Sequence, residues 1–272
     1  MTATRAAAFF DLDRTLISGA SPATFAIAAW RNGLLDGRVL ARDGVGALMF
    51  RLFGASDETS VASRDRILEI VGGTRRDELM ALNEEVIPAL LDKIRPESHG
   101  LIEMHHEAGR DTYIVSASPQ ELVGALASAL GMTGGIGTRA EVVDGLYTGR
   151  LDGPFVYGEG KTEAIGMLAD DRDYDLRLCY GYSDSASDLP MLELVGHPVA
   201  VNPDSALESV AQQRGWPIVI FSRKTKRVIR TTTAISGALG LASATYAAGR
   251  RHGRTLEAAE LARSSPAWKP WS

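Results

Sequence analysis

Cysteine is nearly absent from this 272-residue chain: Cys179 stands alone. One thiol can make no intrachain disulfide and no thiolate metal cluster, so a reducing, cytoplasmic setting is the expectation. Positive charge is also in short supply overall, with 29 Lys and Arg against 34 Asp and Glu and a net charge of -5. That balance speaks against a general binder of nucleic acid or other polyanions. No repeat or low-complexity block is present, and Met1 to Ala8 is too short to be read as a secretory signal. What remains, 45% hydrophobic and 23% charged residues, is the profile of an ordinary globular protein.

The apolar run Ala6 to Phe10 ends on an acidic turn and reads as a buried strand. From about Ser21 to Arg95 the spacing is helical, with candidates at 24–35, 42–53, 58–71 and 75–91 set apart by glycines. After Pro96 helices and strands alternate. Helices are expected at 101–108, 120–130, 162–168 and 188–194, and strands at 111–115, 176–182, 198–202 and 217–221. Asp144-Gly145 between apolar residues signals a hairpin. The pattern calls for an α/β fold, a Rossmann-like parallel sheet with helices on both faces. Residues 1–20 and 96–222 would form its core, 21–95 a helical cap inserted after the first strand, and 223–272 a basic tail.

In an open parallel sheet, ligands bind at the carboxyl ends of the strands. Asp11 and Asp13, Ser116, Lys161, and Asp184 with Asp188 all fall at or beside such ends, so distant polar groups are expected to share one pocket. Each has a plain reading as well. Asp-x-Asp is also a solvated turn, Ser116 and Asp188 also serve as helix caps, and a single lysine is usually a surface residue. Asp11 with Asp184 supplies the hard oxygen donors that Mg²⁺ prefers. Ser116, before a helix, makes an anion site with freed backbone N–H groups. His105 and His106 are adjacent on a helix and so face different points, which speaks against a metal site there.

Asp11-x-Asp13-x-Thr15, a strand-end Ser116, Lys161 and Asp184-x-x-x-Asp188, in that order, resemble the four motifs of the haloacid dehalogenase superfamily. The insert after the first motif, and the ending Tyr182-Ser183-Asp184 to Asp188-Leu189-Pro190, resemble its phosphoserine phosphatase-like branch, subclass IB. The resemblance spans roughly Ala6 to Phe221. It implies a Mg²⁺-dependent phosphatase acting on a small phosphorylated substrate, with Asp11 as nucleophile and Asp13 as general acid and base. Ser116 and Lys161 would hold phosphate oxygens, and Mg²⁺ would sit on Asp11, Asp184 and the Asp13 main-chain carbonyl. Thr15 and Asp188 would support them from behind. Two departures stand out: Ile17 to Ala23 contains no acid where phosphoserine phosphatases carry a glutamate for the substrate amine, and Ser183 replaces a frequent glycine. The first argues against phosphoserine, because a buried ammonium needs a carboxylate. A phosphotransferase, a phosphatase of lipid-derived phosphates and a silent sensor are the alternatives; retention of both Asp11 and Asp13 speaks against the last.

The tail stays open between three readings. Thr231 to Gly249 carries no charge and is flanked by Arg223, Lys224, Lys226, Arg227 and Arg230 on one side and Arg250, Arg251 and Arg254 on the other. Length and flanks fit a membrane span or a basic surface helix, which would place the protein at the inner face of the cell membrane. Ala, Gly, Ser and Thr dominate the run, which fits a solvent-exposed tail.

Overall fold

The computed structural model describes residues 5–34, 64–65, 68–69 and 71–221. The helix candidate at 42–53, most of that at 58–71, and the tail with its run 231–249 lie outside the described residues. Among the described residues, no helix is long and apolar enough to cross a membrane.

Strand β1 (Ala7–Asp11) is buried at every residue. An irregular turn, Leu12–Leu16, leads from it to α1 (Ser21–Arg31). The helix starts three residues ahead of the position expected from apolar spacing, because Pro22 sits in its first turn, where a missing N–H costs nothing. The single helix expected at 75–91 is two, α2 (Arg76–Ala81) and α3 (Asn83–Leu91). Asn83 lies at the join and donates its side-chain amide to the Glu121 carbonyl at 3.1 Å, and Pro88 inside α3 removes one further intrahelical donor. Then come α4 (Pro96–Glu107), β2 (Asp111–Pro119) and α5 (Gln120–Ala129).

Next is β3 (Gly134–Thr138), which the sequence pattern does not reveal. Its glycines depress strand propensity, yet a Cβ on Gly135 would lie 2.7 Å from the Val123 carbonyl oxygen. The strand can pair with β2 only because it presents bare backbone to α5. The hairpin β4 (Ala140–Val143) and β5 (Leu146–Leu151) turns at Asp144 and Gly145, both with positive φ, as a tight hairpin requires. Helix α6 (Glu159–Arg172) follows. The strand expected at 176–182 is shorter: Leu176–Leu178 is a helical turn capped by Asp175, and β6 is Tyr180–Ser183. The chain closes with α7 (Leu189–Leu194), β7 (His197–Val201), α8 (Ser205–Arg214) and the short β8 (Ile218–Val219).

Six strands form one parallel sheet in the order β3-β2-β1-β6-β7-β8. Alternation along β1 sorts the core into two layers. Ala8 and Phe10 pack with Ile102, Leu122 and Leu126, and with Ala28, Val86 and Leu90 from the segment between β1 and β2. Ala7 and Phe9 pack with Ile165, Met191, Leu192 and Leu207 from α6, α7 and α8. Helices therefore cover both faces, and the α/β expectation holds. The chain moves outward from β1 to β2 and β3, then returns to β6 on the other side. The carboxyl ends of β1 and β6 flank this reversal, where an open α/β sheet leaves a crevice.

Candidate active site

Asp11 is the last residue of β1, opposite Val115 of β2, so its carboxylate emerges where the sheet stops. Lys161 arrives from α6. A Cβ at Gly160 would fall 1.8 Å from the Phe155 carbonyl oxygen, so only glycine lets the chain fold back there and deliver Lys161 inward. Gly160→Ala should cost about 1–3 kcal/mol, the usual range for forced overpacking, read from the denaturant midpoint. An unchanged midpoint would show that the turn relaxes freely.

Lys161 Nζ donates to Asp11 Oδ1 at 2.6 Å and to Asp188 Oδ2 at 2.8 Å, with all three residues buried. Burial lowers the ammonium's pKa, but the two carboxylates outweigh it and raise it overall. Asp188 Oδ2 also accepts the Ser183 hydroxyl at 2.6 Å. The serine that replaces a frequent glycine therefore orients the carboxylate that orients Lys161. Its hydroxyl receives the Ser185 N–H in turn at 3.2 Å.

Burial, reinforced by Asp188 and Asp13 and opposed by Lys161, pushes Asp11 up to about 7. Asp184, just past β6, is pushed up to about 8 by burial and then by Asp11, against the pull of Arg14. Two buried carboxylates that resist ionising together are short of positive charge. A hard divalent cation fits that shortage. Asp13 Oδ1 accepts the Ser21 N–H at 2.6 Å, so that oxygen is already engaged. Among the described residues no three His, Cys, Asp or Glu side chains are grouped to hold a metal.

Burial also raises Asp13, against the lowering by its bonds to Ser21. A raised carboxyl pKa is the direction that suits proton donation. Ser21 ties this group to the end of β2: its Oγ lies 2.9 Å from Ser118 Oγ, and the Ser118 N–H donates to Ser116 Oγ at 3.2 Å. Ser116 lies just beyond the last pair of β1 with β2, inside a stretch where the β2–β3 register shifts. Thr15 is buried, and its hydroxyl has no hydrogen-bond partner among the described residues.

The structure thus gathers Asp11, Lys161 and Asp188 in direct contact, holds Asp13 through Ser21, and sets Asp184 beside Asp11. Sequence reading missed Arg14, whose Nε lies 2.8 Å from Asp184 Oδ2. It also missed Ser21 and Ser118, and Asp204, which caps α8 through the Leu207 N–H and braces the loop after Asp184 through the Ala186 N–H. Asn202-Pro203-Asp204-Ser205 carried a helix-start signal that could have found the last. His105 is a buried core residue: it accepts the Arg110 Nε–H on Nδ1 and bonds Tyr182 Oη through Nε2, at 2.7 and 2.8 Å. Burial and then Arg110 push it down to about 3.

The sequence profile of the haloacid dehalogenase-like hydrolases matches residues 8–193. The chain belongs to that family. A protein of Mycobacterium tuberculosis named phosphoserine phosphatase is 40% identical over 255 residues, covering 90% of this chain and 81% of its own. A probable phosphatase of the same species is 39% identical over 259 residues, covering 91% and 90%. Among solved structures, a Bordetella pertussis protein of unknown function matches with a TM-score of 0.71 at 28% identity, over 80% of this chain and 99% of that one. With family and relatives agreeing along most of its length, this hydrolase is a phosphatase.

Proposed function

We propose that the chain hydrolyses a small phosphomonoester with Mg²⁺, passing the phosphoryl group through Asp11. The observation that carries this is the contact of Lys161 with both Asp11 and Asp188 at the end of β1, beside an Asp13 held by the Ser21 N–H. Asp11 Oδ1 accepts from Lys161 and keeps a lone pair for a cation, so Oδ2 would attack phosphorus. The P–O bond to the leaving group breaks, and Asp13 gives that oxygen its proton. Water then attacks the aspartyl-phosphate and loses a proton to Asp13. The Asp11–phosphorus bond breaks, phosphate leaves, and both carboxyl groups return to their starting states.

Lys161 and the Ser116 hydroxyl would donate to phosphoryl oxygens, where charge accumulates. Ser183 and Asp188 keep Lys161 aimed. Mg²⁺ would be held by Asp11, Asp184 and the Asp13 carbonyl, where it would offset the charge crowded around the phosphoryl group.

Phosphoserine, the substrate in one relative's name, is disfavoured by the acid-free run Ile17 to Ala23. A screen of phosphate release over small phosphomonoesters, with Mg²⁺ and with a chelator, tests the reading. Release with Mg²⁺ and its loss in chelator is the expected result. Equal release in chelator would sink the metal dependence, and no release from any ester would sink the reading. Preference for phosphoserine would overturn the argument from the missing acid.

A further inference from the structure

We infer that Arg14 changes partners: it pairs with Asp184 in the metal-free protein, and once a divalent cation takes that carboxylate it selects phosphomonoesters whose leaving group carries a second negative charge. This rests on the phosphatase reading above.

Arg14 directly follows the proposed acid, Asp13. Its φ is 61°, in the left-handed region, and its N–H donates to the Gly19 carbonyl at 2.9 Å. A bulky residue seldom adopts that conformation unless its surroundings fix it. In that conformation Arg14 reaches from the surface to a buried carboxylate: its side chain is 54% exposed and that of Asp184 6%. Arg14 is thus the cation that meets Asp184 from the solvent side. Such a half-exposed pair holds weakly, and a divalent ion bound to buried carboxylates would displace it.

Displaced from Asp184, Arg14 stays tethered next to Asp13. Asp13 must reach the leaving-group oxygen to protonate it, so the leaving group lies within range of the guanidinium. A second cation bonds the helix whose start holds Asp13. Lys93 Nζ donates to Thr24 Oγ1 at 2.6 Å, in the first turn of α1, whose Ser21 N–H holds Asp13. Among the described residues Lys93 has no carboxylate ion pair, and Arg14 pairs directly with Asp184 while acting on Asp13 through its charge. Ile17 to Ala23 adds no acid to receive a substrate amine. A carboxylate or a second phosphate fits these cations, and an ammonium does not.

Four esters of matched size test the inference in the full chain with Mg²⁺: phosphoglycolate, ethane-1,2-diol bisphosphate, ethyl phosphate and 2-aminoethyl phosphate. At least one of the two anionic esters should exceed ethyl phosphate in kcat/KM by about tenfold, the worth of one charge-assisted hydrogen bond, with the amine last. Which of the two leads identifies carboxylate or phosphate as the second group. In Arg14→Gln the anionic advantage should fall to about twofold or less, while Arg14→Lys keeps part of it. Calorimetric titration of Mg²⁺, with no substrate present, should show Arg14→Gln binding about fivefold more tightly, since a competing cation is gone.

An advantage that survives in Arg14→Gln, preference for the amine, or unchanged Mg²⁺ affinity would overturn the inference. Equal turnover of all four esters would overturn it and leave the phosphatase reading standing. Turnover of none would remove both.

Discussion

Asp11→Asn should lower kcat by on the order of 10⁴-fold or more while the protein stays folded. Loss of an attacking group costs rates of this size, because the residual catalysis comes only from binding and charge stabilisation. The substitution is nearly isosteric, and Lys161 keeps Asp188 as a partner at 2.8 Å. The variant should therefore lose little stability. In the metal-free protein it should even relieve the burial cost that pushes Asp11 up to about 7. Asp13→Asn makes an instructive contrast, since it removes the proposed proton donor and leaves the proposed nucleophile. Its loss should shrink for esters of acidic alcohols, whose oxygen departs without help. Single-turnover phosphate release from an alkyl and an aryl phosphate measures both variants. Retention of wild-type turnover by Asp11→Asn would end the covalent reading, whatever the metal does.

The motif residues were readable because the chemistry of this fold sits at strand ends, and strand ends show in a sequence as apolar runs stopped by polar residues. Asp11 and Asp184 follow such runs directly. Ser116 and Lys161 lie where a strand and a helix unit meet. What hid was of two kinds. β3 is stripped of side chains so that α5 can approach, and a glycine-rich strand carries no alternation to read. The second kind is partnership across space. That Ser183 aims Asp188, that a backbone N–H of Ser21 fixes Asp13, and that Arg14 folds back onto Asp184 are contacts between residues whose types alone permit many partners. Arg14 in particular looks like an exposed loop arginine until its left-handed backbone is seen. The helix expected at 75–91 failed for a related reason: its apolar spacing runs on through Leu82, and only the packing of Asn83 on α5 shows the break.

Stability of the metal-free protein should fall as pH rises from 5 to 8.5, and Mg²⁺ should cancel much of that fall. The sign follows from the two buried carboxyl groups. Asp11 and Asp184 have folded pKa values of about 7 and about 8, both above the ordinary carboxyl value of 3.8. Between those limits the folded state binds more protons than the unfolded state. The stability they contribute is thus fully present below pH 3.8 and is lost as pH climbs through 7 and 8. A shift of this size on one group corresponds to a few kcal/mol, and because the two interact their effects do not simply add. Mg²⁺ binds the ionised forms, so its stabilisation should grow over the same interval. At about a hundredfold excess over its dissociation constant it should contribute about 2.7 kcal/mol at pH 8.5, a rise of roughly 5–10 °C in melting temperature, and little at pH 5. Melting curves at both pH values, with Mg²⁺ and with a chelator, provide the test. Asp184→Asn removes one titrating group and one proposed metal ligand, so it should flatten the metal-free slope and blunt the response to Mg²⁺ together. A variant that kept the wild-type slope would place the titration elsewhere, and one that kept the full Mg²⁺ response would remove Asp184 from the metal site.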